Sequence, residues 1–582
     1  MHMTAAHFQN HMREHLERSA SRTLLRIVIA GEILEFTGAV ILQRAVQLAR
    51  RHLDVPEGEV VLLLLPHSVE LFLLHLGLIL EGRIPAILAW PTSRVDPAKY
   101  QRNLLHQLRN LPASQLITLP RLARNMEPSL PYRVTACHIE CETPLEKVLA
   151  IPASIEVPVG SENLPAEQIP PKDGIFLQFS GGTTGAQKAV VVTAAMLIAQ
   201  LTRLRECLAF TQNDGVISWL PLYHDMGLVG CLWFPLWTGA PSLHFSAGDW
   251  LLNPELLFDH MEKFRGTFCW LPNFAFSYLA AQRKRMKGTY SLEHVRAWIS
   301  CSEPVRQTSM DSFVEAFAGW GVTPQSLQAS YAMAENVFAV TQTTPGVAPR
   351  TIARNALRLH RQPALPPPAF DLPDALYVSS GKPLSGVELR VTVGGKPLRE
   401  RQPGEIQIRT ESLFSGYWGK DGFTGNALSA DGWYSTGDYG FLAAGHLYVI
   451  GRLKDIVIVG GQNIFPEEVE AVVNGMEGIY PGRVAAFGVQ DRDLGTEVLT
   501  VIAELRGEYR REHAQSVQRE IRTRVLSTIG IAPRYVFAVP ERWIVKSTAG
   551  KIARRETQVR FLQEMESLSQ NTLPNGFNQP YA

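Results

Sequence analysis

The chain has 582 residues, too many for one ordinary hydrophobic core, so two or more domains are expected. Lys and Arg total 56 against 55 Asp and Glu, a balance that argues against nucleic acid or another polyanion as partner. Six cysteines in so long a chain make no disulfide framework and fit a reducing, cytoplasmic setting.

The first 26 residues are polar, with several His and Arg, and lack the apolar core of a signal peptide. Thr23–Ala30 and Glu32–Phe36 read as a hairpin about Gly31, Ala39–His52 as a helix, and Asp54–Gly58 as a turn. The apolar stretch Val60–Leu80 is broken by Pro66, His67, Glu70 and His75. It reads as a strand (Glu59–Leu65) and a buried helix (Ser68–Leu80), and no membrane span is expected. Ile84–Trp90, a helix at Tyr100–Leu111 and a strand at Gln115–Leu119 continue the alternation, which implies a parallel sheet covered by helices. Cys137-His138-Ile139-Glu140-Cys141 has the spacing of half a metal site, but no second ligand pair follows at zinc spacing. Glu146–Lys172, rich in Pro, Glu and Ser, reads as a surface connection.

The apolar strand Gly174–Phe179 then runs into Ser180-Gly181-Gly182-Thr183-Thr184-Gly185-Ala186-Gln187-Lys188. Three glycines let backbone amides close around an anion, three hydroxyls add donors that also suit a metal, and Lys188 adds a point charge. That is the chemistry of a triphosphate cradle; a solvated polar turn is the plainer alternative. The spacing is neither the Walker pattern nor G-x-G-x-x-G.

Past the cradle, a helix is expected at Ala194–Ala209. Strands at Gly215–Leu220, Gly266–Leu271, Val295–Cys301 and Ser326–Ser330 lead into His224-Asp225, Asn273-Phe274, Ser302-Glu303-Pro304 and Tyr331-Ala332-Met333-Ala334-Glu335. Each candidate group thus stands just past the carboxyl end of a strand, where open α/β sheets bind ligands. Pro345–Pro373 carries seven prolines, and within it Thr351–His360 is spaced to form a short helix with Ile352, Ala356 and Leu359 on one side. Strands at Gly404–Arg409 and His446–Ile450 suggest a β-rich subdomain, and Gly451–Asp455 reads as a linker. Strands near Ile456–Val459 and Val498–Glu504 and a helix at Ser516–Ile529 suggest a compact α+β unit. The fold class expected is therefore α/β: a large N-terminal domain (1–450) of parallel α/β sheets with a β-rich subdomain, a hinge (451–455), and a small mobile α+β C-terminal domain (456–582).

The cradle resembles the Thr-Ser-Gly-Ser-Thr-Gly-x-Pro-Lys-Gly loop of the acyl-adenylate-forming superfamily, which includes acyl-CoA synthetases, fatty acyl-AMP ligases, peptide-synthetase adenylation domains and luciferases. Gly181, Gln187 and Ala189 depart from it. Further motifs of that superfamily follow in order over nearly the whole chain. Tyr331–Glu335 resembles the Tyr-Gly-x-(Thr/Ala)-Glu motif, which implies that Tyr331 stacks on adenine and that Glu335, with Thr184, holds Mg²⁺. Tyr434-Ser435-Thr436-Gly437-Asp438 is similar to the motif whose aspartate accepts both ribose hydroxyls. By the same resemblance Arg452 contacts ribose and phosphate, and Lys454 is the position about which the C-terminal domain swings. Lys546-Ser547-Thr548-Ala549-Gly550-Lys551 resembles the loop whose last lysine reaches the substrate carboxylate and α-phosphate.

Within the superfamily the motifs around His224, Asn273, Ser302 and Tyr331, and the insertion after Glu335, most resemble fatty acyl-AMP ligases; Cys301-Ser302 and Gln462-Asn463 mark a divergent member. The resemblance implies ATP and Mg²⁺ as cofactors, a fatty acid as substrate and an acyl carrier protein as acceptor. It puts the catalytic work on Lys551, Glu335 and His224, and the nucleotide on Ser180–Gly185, Lys188, Ser302–Pro304, Tyr331–Met333, Asp438 and Arg452. An acyl pocket is expected from Trp233, Trp270, Asn273 and Phe274, with Trp237 and Phe276 nearby. An acyl-CoA synthetase would share the first half-reaction and differ in its acceptor, and a non-catalytic adenylate-binding scaffold is the reading from outside enzymology.

Overall fold

Two apolar segments fix the frame. Strand Val60–Leu64 is buried at all five residues, and helix Val69–Leu80 is buried at all twelve. A helix that is apolar all round belongs inside a protein rather than on its face. Ser68 starts it, its Oγ accepting the Leu71 N–H at 3.2 Å. The computed structural model describes residues 4–90, 100–126 (except 102, 103, 106, 109 and 110), 133–139, 173–180, 188–353, 376–419, 428–459, 462–491, 496–507, 511–546 and 550–569.

Val60–Leu64 lies in a seven-stranded sheet, ordered Tyr417–Trp418, Ala189–Thr193, Gly174–Phe179, Ile84–Ile87, Val60–Leu64, Gln115–Thr118, Arg133–Ala136. A nine-stranded sheet runs Lys382–Pro383, Ala339–Gln342, Leu327–Ala332, Ala297–Cys301, Phe268–Pro272, Val216–Ser218, Ser242–His244, Thr23–Ile29, Glu32–Thr37. From Leu327–Ala332 to Thr23–Ile29 every pairing is parallel, and antiparallel strands close both edges. One continuous core, from Phe8 to Leu447, joins the two sheets and their helices. A five-stranded antiparallel sheet (Lys396–Pro397, Glu388–Val393, Gly404–Arg409, Tyr434–Ala443, His446–Arg452) stands beside them. Beyond it, Ile479–Asp491, Thr496–Leu505 and Tyr535–Val539 form a three-stranded sheet, with helices Pro466–Asn474, Arg511–Ile529 and Arg554–Ser569 and cores of its own. The architecture is the mixed α/β one expected, and no helix among the described residues is long and apolar enough to cross a membrane.

Local structure adds to some of these expectations and corrects others. The polar N-terminus forms a helix, Ala5–Arg18, because Phe8, Met12 and Leu16 recur every four residues and all three are buried. Phe8 stacks on Trp237 with ring centroids 5.9 Å apart and planes 7° apart. The segment after His224 is a π-helix, Met226–Trp233, followed by helix Phe234–Thr238. Strand Leu327–Ala332 runs through Tyr331, and strand His446–Arg452 runs through the expected linker to Arg452, where it pairs with Asp438. A short 3₁₀ turn, Leu453–Asp455, comes next. Thr351–Ala353 pairs antiparallel with Leu376–Val378 instead of opening a helix; the rest of that expected helix lies outside the described residues.

Candidate active site

The carboxyl ends of the two large sheets, the antiparallel sheet and the C-terminal unit all face one cleft of about 1730 Å³. Its walls include Ser180, Lys188, His224, Asn273, Phe274, Ser302, Glu303, Pro304, Tyr331, Ala332, Met333, Glu335, Asp438, Arg452, Lys454 and Lys551. Residues that the sequence scatters over 371 positions, from 180 to 551, therefore border one space. Gly181, Gly182, Thr183, Thr184 and Gly185 lie outside the described residues, but the two ends of their loop are pinned: the Ser180 N–H donates to the Lys188 carbonyl at 2.9 Å.

Asp438 joins two of the expected nucleotide-binding residues. It is buried, its Oδ2 accepts the Tyr331 hydroxyl at 2.6 Å, and its Oδ1 lies 2.9 Å from Arg452 Nε. Burial, and then the Asp438 charge, push the Tyr331 phenol far up, so it is a fixed donor. The Asp438 charge likewise raises the Arg452 guanidinium, against burial. Each carboxylate oxygen keeps a further lone pair, so the aspartate can still accept from a diol.

Glu335 sits in the 3₁₀ turn Ala334–Asn336, and its Oε1 accepts the Tyr417 hydroxyl at 2.8 Å. Burial holds this carboxyl above its usual range, and the Tyr417 hydrogen bond is the strongest pull the other way. Among the described residues no cluster of three or more His, Cys, Asp or Glu could cage a metal. Mg²⁺ keeps several waters and takes one or two carboxylates beside substrate phosphates, so a lone Glu335 fits a magnesium ion that arrives with a nucleotide.

His224 Nδ1 lies 2.7 Å from Asp225 Oδ1, which also accepts the Met226 N–H at 2.8 Å. Burial pulls Asp225 upward, but the His224 hydrogen bond and charge, followed by the charge of Lys551, hold it below the ordinary range. Asp225 is therefore an ionised carboxylate facing the C-terminal lysine. Asn273 and Glu303 clamp each other's loops: Glu303 Oε2 accepts the Phe274 N–H at 2.9 Å, and Asn273 Oδ1 accepts the Arg306 N–H at 3.0 Å. Ser302 adopts φ +69°, a conformation uncommon for a side-chain-bearing residue and one that turns the chain sharply into the cleft.

Two expected pocket residues are corrected. Trp233 and Trp270 are fully buried and do not border the cleft. Trp233 donates from Nε1 to His75 Nε2 at 3.1 Å and stacks on Phe176, while Trp270 meets Phe234 and Phe268. Phe276 is equally buried, against Phe313. They fill the space between sheet and helices because the chain's largest apolar groups exclude the most water there.

Sequence reasoning missed Tyr417, the contact by which Asp225 holds His224, and an ion cluster at the junction with the C-terminal unit. In that cluster Arg554 meets Asp455 at 2.9 Å, Glu467 at 2.8 Å and Glu470 at 2.8 Å, and Arg306 of the nine-stranded body donates to the Glu467 carbonyl at 2.9 Å. Asp225 stood beside His224 in a motif already singled out, but the cluster joins positions too distant for any spacing rule.

A family model described as AMP-binding enzyme matches residues 15–418. The chain belongs to that family. Among its relatives, the long-chain-fatty-acid–AMP ligase FadD26 of Mycobacterium marinum is 31% identical, over 70% of this chain and 74% of its own. The medium-chain-fatty-acid–[acyl-carrier-protein] ligase JamA of Moorena producens is 30% identical, over 67% of this chain and 68% of its own. A structure from a study of fatty acyl-adenylate ligases of E. coli and L. pneumophila superposes with TM-score 0.78 at 22% identity, over 96% of this chain and 98% of that one, and shares the fold. The superposition extends the shared fold over nearly the whole chain.

The ion cluster yields a pH prediction. Glu467 is buried, and burial, offset in part by Arg554, pushes its carboxyl up to about 7. Among the described residues its Oε2 has no hydrogen-bond partner, so a negative charge there would go without a compensating donor. A carboxyl raised in the folded state binds its proton more tightly folded than unfolded. Its stabilising contribution is thus complete below about pH 4.5 and lost as pH rises through about 7. Against Glu467→Gln, the parent's thermal stability should fall on the order of 1–3 kcal/mol between pH 5 and 8. A stability difference that does not change with pH would contradict the assignment.

Proposed function

We propose that this protein activates a fatty acid with ATP, forming acyl-AMP and pyrophosphate, and passes the acyl group to the phosphopantetheine thiol of a carrier protein. The observation that carries the reading is the position of Lys551. It borders the same cleft as Tyr331, Glu335, Asp438 and Arg452, close enough to lower the Asp225 carboxyl by its charge. The named activities of the fatty-acid–AMP ligase and acyl-carrier-protein ligase relatives support the substrate and the acceptor.

In the proposed reaction a carboxylate oxygen of the acid attacks the α-phosphorus of ATP. The bond to the pyrophosphate oxygen breaks and its electron pair leaves with pyrophosphate. No covalent enzyme intermediate is needed, so positioning and charge neutralisation carry the rate. Tyr331 offers its ring face to adenine, Asp438 accepts from the ribose diol, and Arg452 holds that carboxylate and reaches for phosphate. Lys188 and the glycine-hydroxyl loop 181–185 hold the β,γ end. Mg²⁺, held by Glu335 with Thr184, would neutralise charge on the phosphates. Lys551 offsets the charge that grows at the α-phosphate, and His224, fixed by Asp225, stands at the entrance for the acyl carboxylate beside Asn273 and Phe274.

The two-part organisation belongs to the same proposal. Residues 1–450 carry the nucleotide site, 451–455 act as the hinge with Lys454 at the pivot, and 456–582 bring Lys551 in and withdraw it. Burial and the neighbouring Arg452 lower the Lys454 ammonium, as expected of a lysine held inside a junction. The base of the proline-rich insertion supports a restraining role on this swing. Tyr377, paired into its short hairpin, donates to Glu468 of the C-terminal unit at 2.5 Å. Such a restraint would keep CoA from serving as acceptor.

Lys551→Ala should abolish pyrophosphate release while leaving transfer from chemically supplied acyl-AMP to a carrier thiol largely intact, because the charge is needed at the first transition state alone. Near-normal pyrophosphate release would contradict the role given to Lys551. Replacing 346–371 with a short Gly/Ser linker should let the enzyme make acyl-CoA. If the parent already makes acyl-CoA efficiently, the chain is a CoA synthetase instead.

A further inference from the structure

Tyr417 lies 82 positions from Glu335 in sequence, yet its hydroxyl donates to Glu335 Oε1 at 2.8 Å. The same side chain does a second thing. Lys188 Nζ sits over the face of its ring, 4.8 Å from the centroid. One residue therefore touches both the carboxylate and the ammonium that the proposed reaction aims at the β,γ-phosphates.

The backbone around Tyr417 is built to keep it there. Tyr417 and Trp418 form an edge strand that pairs with Val190 and Ala189, directly after Lys188. Trp418 donates from Nε1 to the Pro112 carbonyl at 2.7 Å. Phe414 packs edge-on against the Tyr417 ring, with centroids 4.8 Å apart, and its N–H donates to the Glu335 carbonyl at 2.8 Å. Ser412 donates to Asn336 Oδ1 at 2.9 Å, holding the next residue of the same turn. The segment 412–418 thus grips the Glu335 turn by backbone and side chain while it extends the sheet that carries Lys188.

We propose that Tyr417 is a positioning residue that sets the distance and orientation between Glu335 and Lys188: its hydroxyl fixes the carboxylate for a nucleotide-borne Mg²⁺, and its ring face fixes the ammonium for phosphate. The inference rests on the reading of Glu335 and Lys188 given above. It divides the two duties between two parts of one side chain, so they can be separated by substitution. Tyr417→Phe removes the hydroxyl and keeps the ring. Tyr417→Leu removes both.

The test is calorimetric titration of the full chain with α,β-methylene ATP, at zero and saturating Mg²⁺, with thermal denaturation of each variant alongside. Tyr417→Phe should bind the analogue like the parent without Mg²⁺, and should lose about tenfold of the affinity that Mg²⁺ adds, the scale of a charge-assisted hydrogen bond. Tyr417→Leu should lose a further factor of about three to ten without Mg²⁺, the scale of a cation–π contact. In double-mutant cycles the Phe effect should vanish on a Glu335→Gln background, and the extra Leu effect on a Lys188→Met background. The proposal is overturned if Tyr417→Phe matches the parent with Mg²⁺, or if both variants lose metal-free affinity equally along with melting temperature, which would make Tyr417 a packing residue. If Glu335→Gln alone leaves the Mg²⁺ dependence unchanged, the reading of Glu335 fails and the assignment of the Tyr417 hydroxyl goes with it. The ring's duty to Lys188 is then decided separately by the Lys188→Met cycle.

Discussion

The buried carboxylate of Asp438 is the constraint on which the site depends. An ionised aspartate in a dry place must be hydrogen-bonded and paired, or it costs several kcal/mol. Here it is satisfied by Tyr331 from the nine-stranded sheet and by Arg452 from the neighbouring strand of its own antiparallel sheet. That bond ties the two bodies together at the edge of the cleft, and it fixes the last strand residue before the chain enters the C-terminal unit. A ring for a base, an acceptor for a diol and a cation for a phosphate are therefore held in mutual register before any ligand arrives, which is the preorganisation that a positioning enzyme needs.

A second polar knot sits on the far side of that junction. Arg554 gathers Asp455, Glu467 and Glu470, and Arg306 reaches across from the large body to the Glu467 carbonyl. Of these contacts only the Arg306 hydrogen bond joins the two bodies; a polar contact of this kind suits an interface that must open, since each group regains water on separation, whereas a large apolar contact would hold it shut. Apolar packing is present but small: Phe465 stacks with Tyr439, with Ile456 alongside, at the antiparallel sheet. The proposed swing of the C-terminal unit is consistent with a seam of this composition.

Much of this was legible in the sequence, for a physical reason. Strand–helix alternation with fully apolar strands forces a parallel sheet. A parallel sheet puts its ligand groups past the carboxyl ends of its strands, so Asn273, Ser302 and Glu335 can be assigned to the ligand-binding end of the sheet from the sequence alone. What was not legible followed from tertiary context. The sequence pattern ends one strand at Ser330 and begins a linker at Gly451, yet strand pairing takes in Tyr331 and Arg452 as well. Trp233 and Trp270 look like pocket aromatics by composition, but whether an indole lines a cavity or fills a core depends on what lies opposite, and opposite them lie Phe176, Phe234 and Phe268. The helix Ala5–Arg18 carried a readable signal in Phe8, Met12 and Leu16, masked by its many charged and histidine residues. Tyr417 and the Arg554 cluster had no local signal at all, because their partners are far away in sequence.

In the proposed reaction a carboxylate oxygen of the substrate becomes bonded to the α-phosphorus of ATP. The direct measurement is to supply a fatty acid labelled with ¹⁸O in its carboxylate, together with ATP, Mg²⁺ and a thiol-bearing carrier protein, and to weigh the nucleotide products. The proposed reaction gives AMP carrying a single ¹⁸O, unlabelled pyrophosphate, and an acyl thioester that keeps the other labelled oxygen. Unlabelled AMP, or ADP and phosphate as the products, would contradict it.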